Sequence, residues 1–193
     1  MKLKNLLLVI TSFALAFQLQ LAQAENPKVK METSKGTMII ELYPDKAPKS
    51  VANFLNYVNS GAYDGTIFHR VIKDFMNQGG GFNIDYEKVT TNEPITNEAD
   101  NGLKNLKYTV AMARTNDPHS ATNQFFINTS DNDFLDHSGK TTNGWGYAVF
   151  GKVIEGQNVA GAISRVATGS GGPFPSDVPR TPVIIEKVTV IKE

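Results

Sequence analysis

An all-β barrel plugged by two helices is the architecture this sequence predicts. Three observations point to it. Short runs rich in β-branched and aromatic residues recur along the chain, punctuated by Gly, Pro, Asn and Asp. Only two stretches carry apolar residues at helical spacing. No repeat or shift in composition marks a second domain, and 193 residues suit one core.

The first segment stands apart from that fold. Residues 1–24 read MKLKNLLLVITSFALAFQLQLAQA, with Lys2 and Lys4 ahead of an apolar stretch and Ala22-Gln23-Ala24 as a small-x-small cleavage site. This is the pattern of a Sec-type signal peptide. The alternative, a permanent anchor, needs roughly 20 unbroken apolar residues, and Thr11, Ser12, Gln18 and Gln20 interrupt the run. The expected mature chain is residues 25–193, exported to the periplasm and free of the membrane after cleavage.

Within it, Lys28 to Glu32 and Thr37 to Leu42 flank Ser34-Lys35-Gly36 and predict a hairpin. Pro44 and Pro48 end the strand pattern. Val51, Phe54, Leu55 and Val58 then recur at i, i+3, i+4, i+7, predicting a helix over 48–60 that Gly61 stops. Tyr63-Asp64-Gly65 predicts a turn and Thr66 to Ile72 a strand. Asp74 to Phe82 includes Gly79-Gly80-Gly81, and residues 83–107 are polar and Asn-rich. A structureless stretch of that length is usually functional or hides short strands. Tyr108 to Ala113, Gln124 to Asn128 and Gly146 to Val153 predict buried strands. Gly156 to Arg165 predicts a second helix with Val159, Ala160 and Ile163 inward. A Gly/Ser/Pro loop over 168–182 precedes a final strand from Val183 to Ile191.

Composition excludes several chemistries. The 19 basic and 19 acidic residues balance, so electrostatic binding of nucleic acid or anionic lipid has no basis. Absence of Cys removes disulfides, thiol catalysis and thiolate-held zinc. Three histidines, His69, His119 and His137, give little material for a metal site, and none is expected. There is no G-x-S-x-G, H-E-x-x-H or G-x-x-x-x-G-K-[ST] motif. A Ser/His/Asp triad can be written with His69 and Asp136, but no spacing singles out a serine. Asn128-Thr129-Ser130 matches a glycosylation sequon of a kind common by chance.

What remains is an arginine among apolar and amide side chains. Strand alternation around Arg70 would put Phe68, Arg70 and Ile72 on one face, with His69 and Val71 on the other. Phe75-Met76-Asn77-Gln78 follows directly, and Gln124, Phe126 and Asn128 share a face farther on. Taken singly, these residues read equally well as core aromatics and a surface arginine.

Together they carry a resemblance. FHRVIKDFMNQGGGF, AMARTNDPHSATNQFFIN and GYAVFGKV resemble the signature blocks of the cyclophilin family of peptidyl-prolyl cis/trans isomerases, in family order and across the mature chain. The leader and Asn97 to Asn105 (NEADNGLKN) make the chain similar to the exported bacterial branch. The resemblance implies a closed eight-stranded antiparallel β-barrel with an α-helix at each end. It implies that Arg70 is the catalytic arginine and that Gln78 assists it. Phe75, Met76, Phe126 and Leu135 match the walls of the proline pocket, and Ala113, Arg114 and Gln124 match groove positions. Phe134 stands where many eukaryotic members have Trp, and Tyr147 where they have His. Both departures imply weak cyclosporin binding at most. Tyr108 replaces a common Gly. The implied partners are proline-containing peptides and unfolded exported proteins, met by a monomer.

The reaction so implied fits the inventory. Rotation about an X-Pro bond breaks amide resonance, a barrier of about 20 kcal/mol, without making or cutting a bond. It requires no nucleophile, metal or cofactor. Two other readings stay open at this level: a peptide-binding holdase that keeps the groove without turnover, and an exported hydrolase using His69 or His137. Alternation makes His69 a structural residue pointing away from Arg70.

Overall fold

The structure, a computed structural model, describes residues 25–192; the predicted leader over 1–24 lies outside them. Among the described residues, eleven strands and two α-helices follow one another. The first hairpin forms as predicted, β1 (Lys28–Thr33) against β2 (Gly36–Leu42), with Lys28 facing Glu41 and Thr33 facing Gly36. Helix α1 (Pro48–Asn59) has Pro in its first turn, where the missing N–H costs nothing. Its Val51, Phe54 and Val58 are buried, and Phe54 packs against Tyr63, Phe125 and Phe150 with ring centroids 5.1–5.6 Å apart. Its own sequence offers no capping side chain. Glu98, 48 residues on, does the job: its carboxylate accepts from Lys49 N (2.9 Å), Ser50 N (2.8 Å) and Ser50 Oγ (2.8 Å).

The expected single strand from Thr66 to Ile72 is divided into β3 (Thr66–Ile67) and β4 (Arg70–Ile72). Strands β5 (Met76–Gly79), β6 (Thr109–Met112), β7 (Phe125–Asn128), β8 (Val149–Glu155) and β11 (Ile184–Val190) complete one antiparallel sheet. Its order is β3-β11-β1-β2-β8-β6-β7-β5-β4. The hydrogen-bonded ladder is therefore nine-stranded, not the closed ring of eight expected. The sheet curls until its two end strands are the two halves of residues 66–72, and the covalent chain through Phe68 and His69 joins them. That division also corrects the alternation. Phe68 and Val71 both enter the barrel core, so Phe68 does not share Arg70's face.

Helix α2 (Gln157–Ile163) buries Val159, Ala160 and Ile163 as expected. Residues 168–182 are not the irregular loop predicted from their Gly, Ser and Pro content. They form a second, two-stranded sheet of β9 (Thr168–Gly171) and β10 (Phe174–Pro179). The polar stretch 83–107 holds a 3-10 turn at Ala99–Asn101 and isolated bridges at Phe82–Lys88 and Ile95–Ala121. Its asparagines supply the local order. Asn83, Asn97 and Asn101 each accept a backbone N–H two residues on, at 2.8–3.0 Å. Tyr108, the residue in place of a common Gly, has φ of 70°, a conformation that favours glycine.

Candidate active site

Register across four neighbouring strands builds the site. Arg70 on β4 faces Gln78 on β5, Gln78 faces Phe126 on β7, and Phe126 faces Ala111 on β6. Residues directly opposite share a face, and so do residues two apart on each strand. One face of this part of the sheet thus presents Arg70, Ile72, Met76, Gln78, Ala111, Ala113 and Phe126. The other sends Val71, Val110, Met112, Phe125 and Ile127 into the barrel. The first set gathers its own apolar cluster, in which Met76, Ala111, Ala113, Phe126, Leu135 and Val149 are buried and Phe75 and Tyr147 pack at the margin. The side chains thus form two separate apolar bodies on either side of one sheet.

An open cleft of about 400 Å³ lies on the outer cluster, lined by Arg70, Phe75, Met76, Gln78, Ala113, Arg114, Phe126, Leu135 and Tyr147. Two predicted residues sit outside this lining. Gln124 lies in an adjoining cleft with Thr115, Ser120 and Thr122, which shares Gln78, Ala113 and Arg114 with the first. Phe134 is 74% exposed beside the cleft, its ring tilted against Phe75 with centroids 5.5 Å apart.

A network of buried amides fixes the loops that complete the wall. Asn128 Nδ2 donates to Thr109 Oγ1 (2.9 Å) and Asn105 Oδ1 (3.2 Å). Asn132 Nδ2 donates to Asn128 Oδ1 (2.6 Å) and to the Phe75 carbonyl (3.0 Å). Asn105 Nδ2 reaches the Leu135 carbonyl at 3.2 Å. Asn128, grouped with Phe126 by alternation, is thus fully buried scaffolding. Arg114 donates from Nε to the Gly146 carbonyl (3.0 Å), and its guanidinium lies 4.6 Å from the centre of the Tyr147 ring. This cation–π contact holds Arg114 against Tyr147 at the cleft wall.

At Arg70 the polar groups are ordered in a chain. Gln78 Nε2 donates to Gln124 Oε1 at 2.8 Å, which turns Gln78 Oε1 toward Arg70 Nη1 at 3.5 Å. Arg has donors alone, so an oxygen is the group that belongs there. Gly81 makes room for this pair: a Cβ at that position would lie 2.6 Å from the Gln124 side chain. On its other side, Arg70 Nε is 3.9 Å from Asp177 Oδ2 of β10. Nothing in the sequence pointed to Asp177, which lies in the segment taken for a loop. The Arg70 side chain is 44% exposed and lines the cleft, so it faces cleft and solvent and not the barrel.

His69 is buried between Phe82 (4.8 Å) and Phe174 (5.5 Å), and its Nδ1 makes no hydrogen bond. Burial lowers its pKa to about 4, with the Arg70 charge adding to the shift and the Ile67 backbone and Gln124 side chain opposing it. His137 donates from Nδ1 to the Trp145 carbonyl (2.9 Å) beside the Trp145 ring. Neither histidine lines the cleft.

The family model described as cyclophilin type peptidyl-prolyl cis-trans isomerase/CLD matches residues 28–190. The chain belongs to the cyclophilin-type peptidyl-prolyl cis-trans isomerases. A peptidyl-prolyl cis-trans isomerase of Streptomyces antibioticus is 62% identical to this cyclophilin over 163 residues, 84% of this chain and 98% of the relative. Peptidyl-prolyl cis-trans isomerase A of Dickeya dadantii is 50% identical over 186 residues, 96% of this chain and 94% of that one. Among solved structures, a Cryptosporidium parvum cyclophilin-type isomerase crystallised in the presence of the dipeptide Ala-Pro superposes with a TM-score of 0.68 at 27% identity, covering 86% of this cyclophilin and 99% of that chain. The cleft described above is thus carried on a cyclophilin barrel.

Proposed function

We propose that this cyclophilin accelerates X-Pro isomerisation in exported proteins as they fold, with Arg70 stabilising the twisted imide over an apolar floor. The observation that carries the reading is the cross-strand row Arg70–Gln78–Phe126, which sets a guanidinium at the rim of an apolar cleft. Phe126, Met76 and Leu135 can hold the proline ring while the preceding carbonyl swings. As the imide twists, its nitrogen becomes pyramidal and regains a lone pair. A guanidinium N–H can donate to that lone pair only once the twist has begun, so the interaction favours the transition state over the ground state. Arg suits the task because it stays charged and offers a planar fork of donors. Expelling water from the cleft strengthens the contact.

A thousandfold contribution from Arg70 asks for about 4 kcal/mol, the scale of one oxyanion-hole donor. The destination of the clients rests on the leader pattern over residues 1–24. The test is the rate of a proline-limited refolding reaction with the wild-type protein and with Arg70→Ala. The variant is expected to lose at least about a hundredfold of the acceleration; equal rates would sink the proposal.

A further inference from the structure

The β9–β10 hairpin meets the site at two points. Phe174 stacks on His69, the residue preceding Arg70, at 5.5 Å and sits edge-on to Phe82 at 5.1 Å. Three residues on, Asp177 reaches Arg70 Nε at 3.9 Å. The backbone between them is irregular. Phe174 pairs with Gly171 and Val178 with Gly169, so β10 spends two more residues than β9 over that interval. The excess is taken up where Asp177 adopts φ of 66°, a left-handed conformation uncommon outside Gly but tolerated by Asp and Asn. Such outliers persist where the surroundings over-determine them, and they cluster at functional sites. Here the surroundings include the tip of the hairpin, where the Tyr86 ring lies against Gly171 and Gly172.

We propose that Asp177 is a positioning residue for Arg70: the hairpin, wedged by Phe174, holds a carboxylate against Nε so that the guanidinium plane is fixed and its two terminal nitrogens stay directed at the cleft. The inference rests on the reading of Arg70 given above and deepens it. Gln78 holds one corner of the group through a long hydrogen bond of 3.5 Å at Nη1, and Asp177 attracts the opposite corner across 3.9 Å, an ion-pair distance and not a hydrogen bond. With Asp177 at Nε and Gln78 at Nη1, rotation about the last side-chain bonds is restrained from both ends. Among the described residues, Asp177 is the one carboxylate paired with Arg70. Both partners are more than a third exposed, so the pair does little for folding stability. Its effect falls on orientation, to which a transition-state contact is sensitive.

The test compares wild type, Asp177→Asn and Arg70→Ala. Asn tolerates the same backbone conformation and keeps the shape, so charge is what the substitution removes. Three quantities are measured: the unfolding midpoint, the binding constant and exchange rate for an Ala-Pro tetrapeptide by NMR, and the order parameter of the Arg70 Nε–H bond. The expected result for Asp177→Asn is an unchanged midpoint and binding constant, a turnover about threefold to tenfold lower, and a lower Nε order parameter. If either turnover or order parameter stays at the wild-type value while Arg70→Ala is inactive, the positioning role is overturned and the reading of Arg70 survives. Full activity in Arg70→Ala defeats that reading, and the present inference falls with it.

Discussion

Acidification puts a proton on His69 more readily in the unfolded chain than in the barrel. The ring is 2% exposed, packed between Phe82 and Phe174, and its pKa is held at about 4 against an ordinary 6.5. Because the folded value is depressed, the unfolded state binds more protons between the two values. Stability is therefore complete above about pH 6.5 and falls as the pH drops toward about 4, where the loss levels off. The full difference corresponds to about 3 kcal/mol, and about 2 kcal/mol of it is gone at about pH 5. Other carboxylates and histidines also titrate, so the informative quantity is a difference between two proteins. His69→Phe keeps an aromatic ring in the same slot and removes the titration. Urea unfolding at about pH 7.5 and about pH 5 should show the wild type losing about 2 kcal/mol more than the variant on acidification. Parallel losses in the two proteins would refute the assignment of this acid sensitivity to His69.

Two further predictions concern scaffolding and site. Glu98→Ala removes the remote acceptor of Lys49 N and Ser50 N, and should destabilise the fold by about 2 kcal/mol, read as a lower urea midpoint. Gly81→Ala drives a methyl group into the Gln124 side chain, the far end of a flexible residue. Stability should change by under about 1 kcal/mol, while loss of the Gln78–Gln124 hydrogen bond lowers proline-limited refolding activity about threefold to tenfold; an unaltered rate would show that the amide pair does not orient Arg70.

The helices and most of the barrel were legible because their signals are periodic. Val51, Phe54 and Val58 declare one face of α1 without reference to anything distant, and the first hairpin is announced by its turn. The strand Thr66 to Ile72 misled because alternation presumes an unbroken pleat. Here Ile67 N donates to the Phe82 carbonyl and Phe68 N to the Val183 carbonyl, partners whose positions no local pattern records. The β9–β10 hairpin was missed for a related reason: Gly, Ser and Pro read as a loop, and what orders them is the packing of their own Phe174 on the distant pair His69 and Phe82. At the site, the row of Arg70, Gln78 and Phe126 came from motif resemblance, and register supplies its physical cause. Asp177 left no trace in the sequence because its relevance lies in a bulge and a long-range approach.

The joining of both sheet ends within residues 66–72 has a consequence for behaviour at high concentration. The terminal strands of the nine-stranded sheet are two and three residues long and are joined by the chain itself, so these two ends present no long row of unsatisfied amides for a neighbouring molecule to copy. Templated assembly into fibrils begins at long, bare strand edges. Among the described residues, the ends of the barrel sheet offer no such rail.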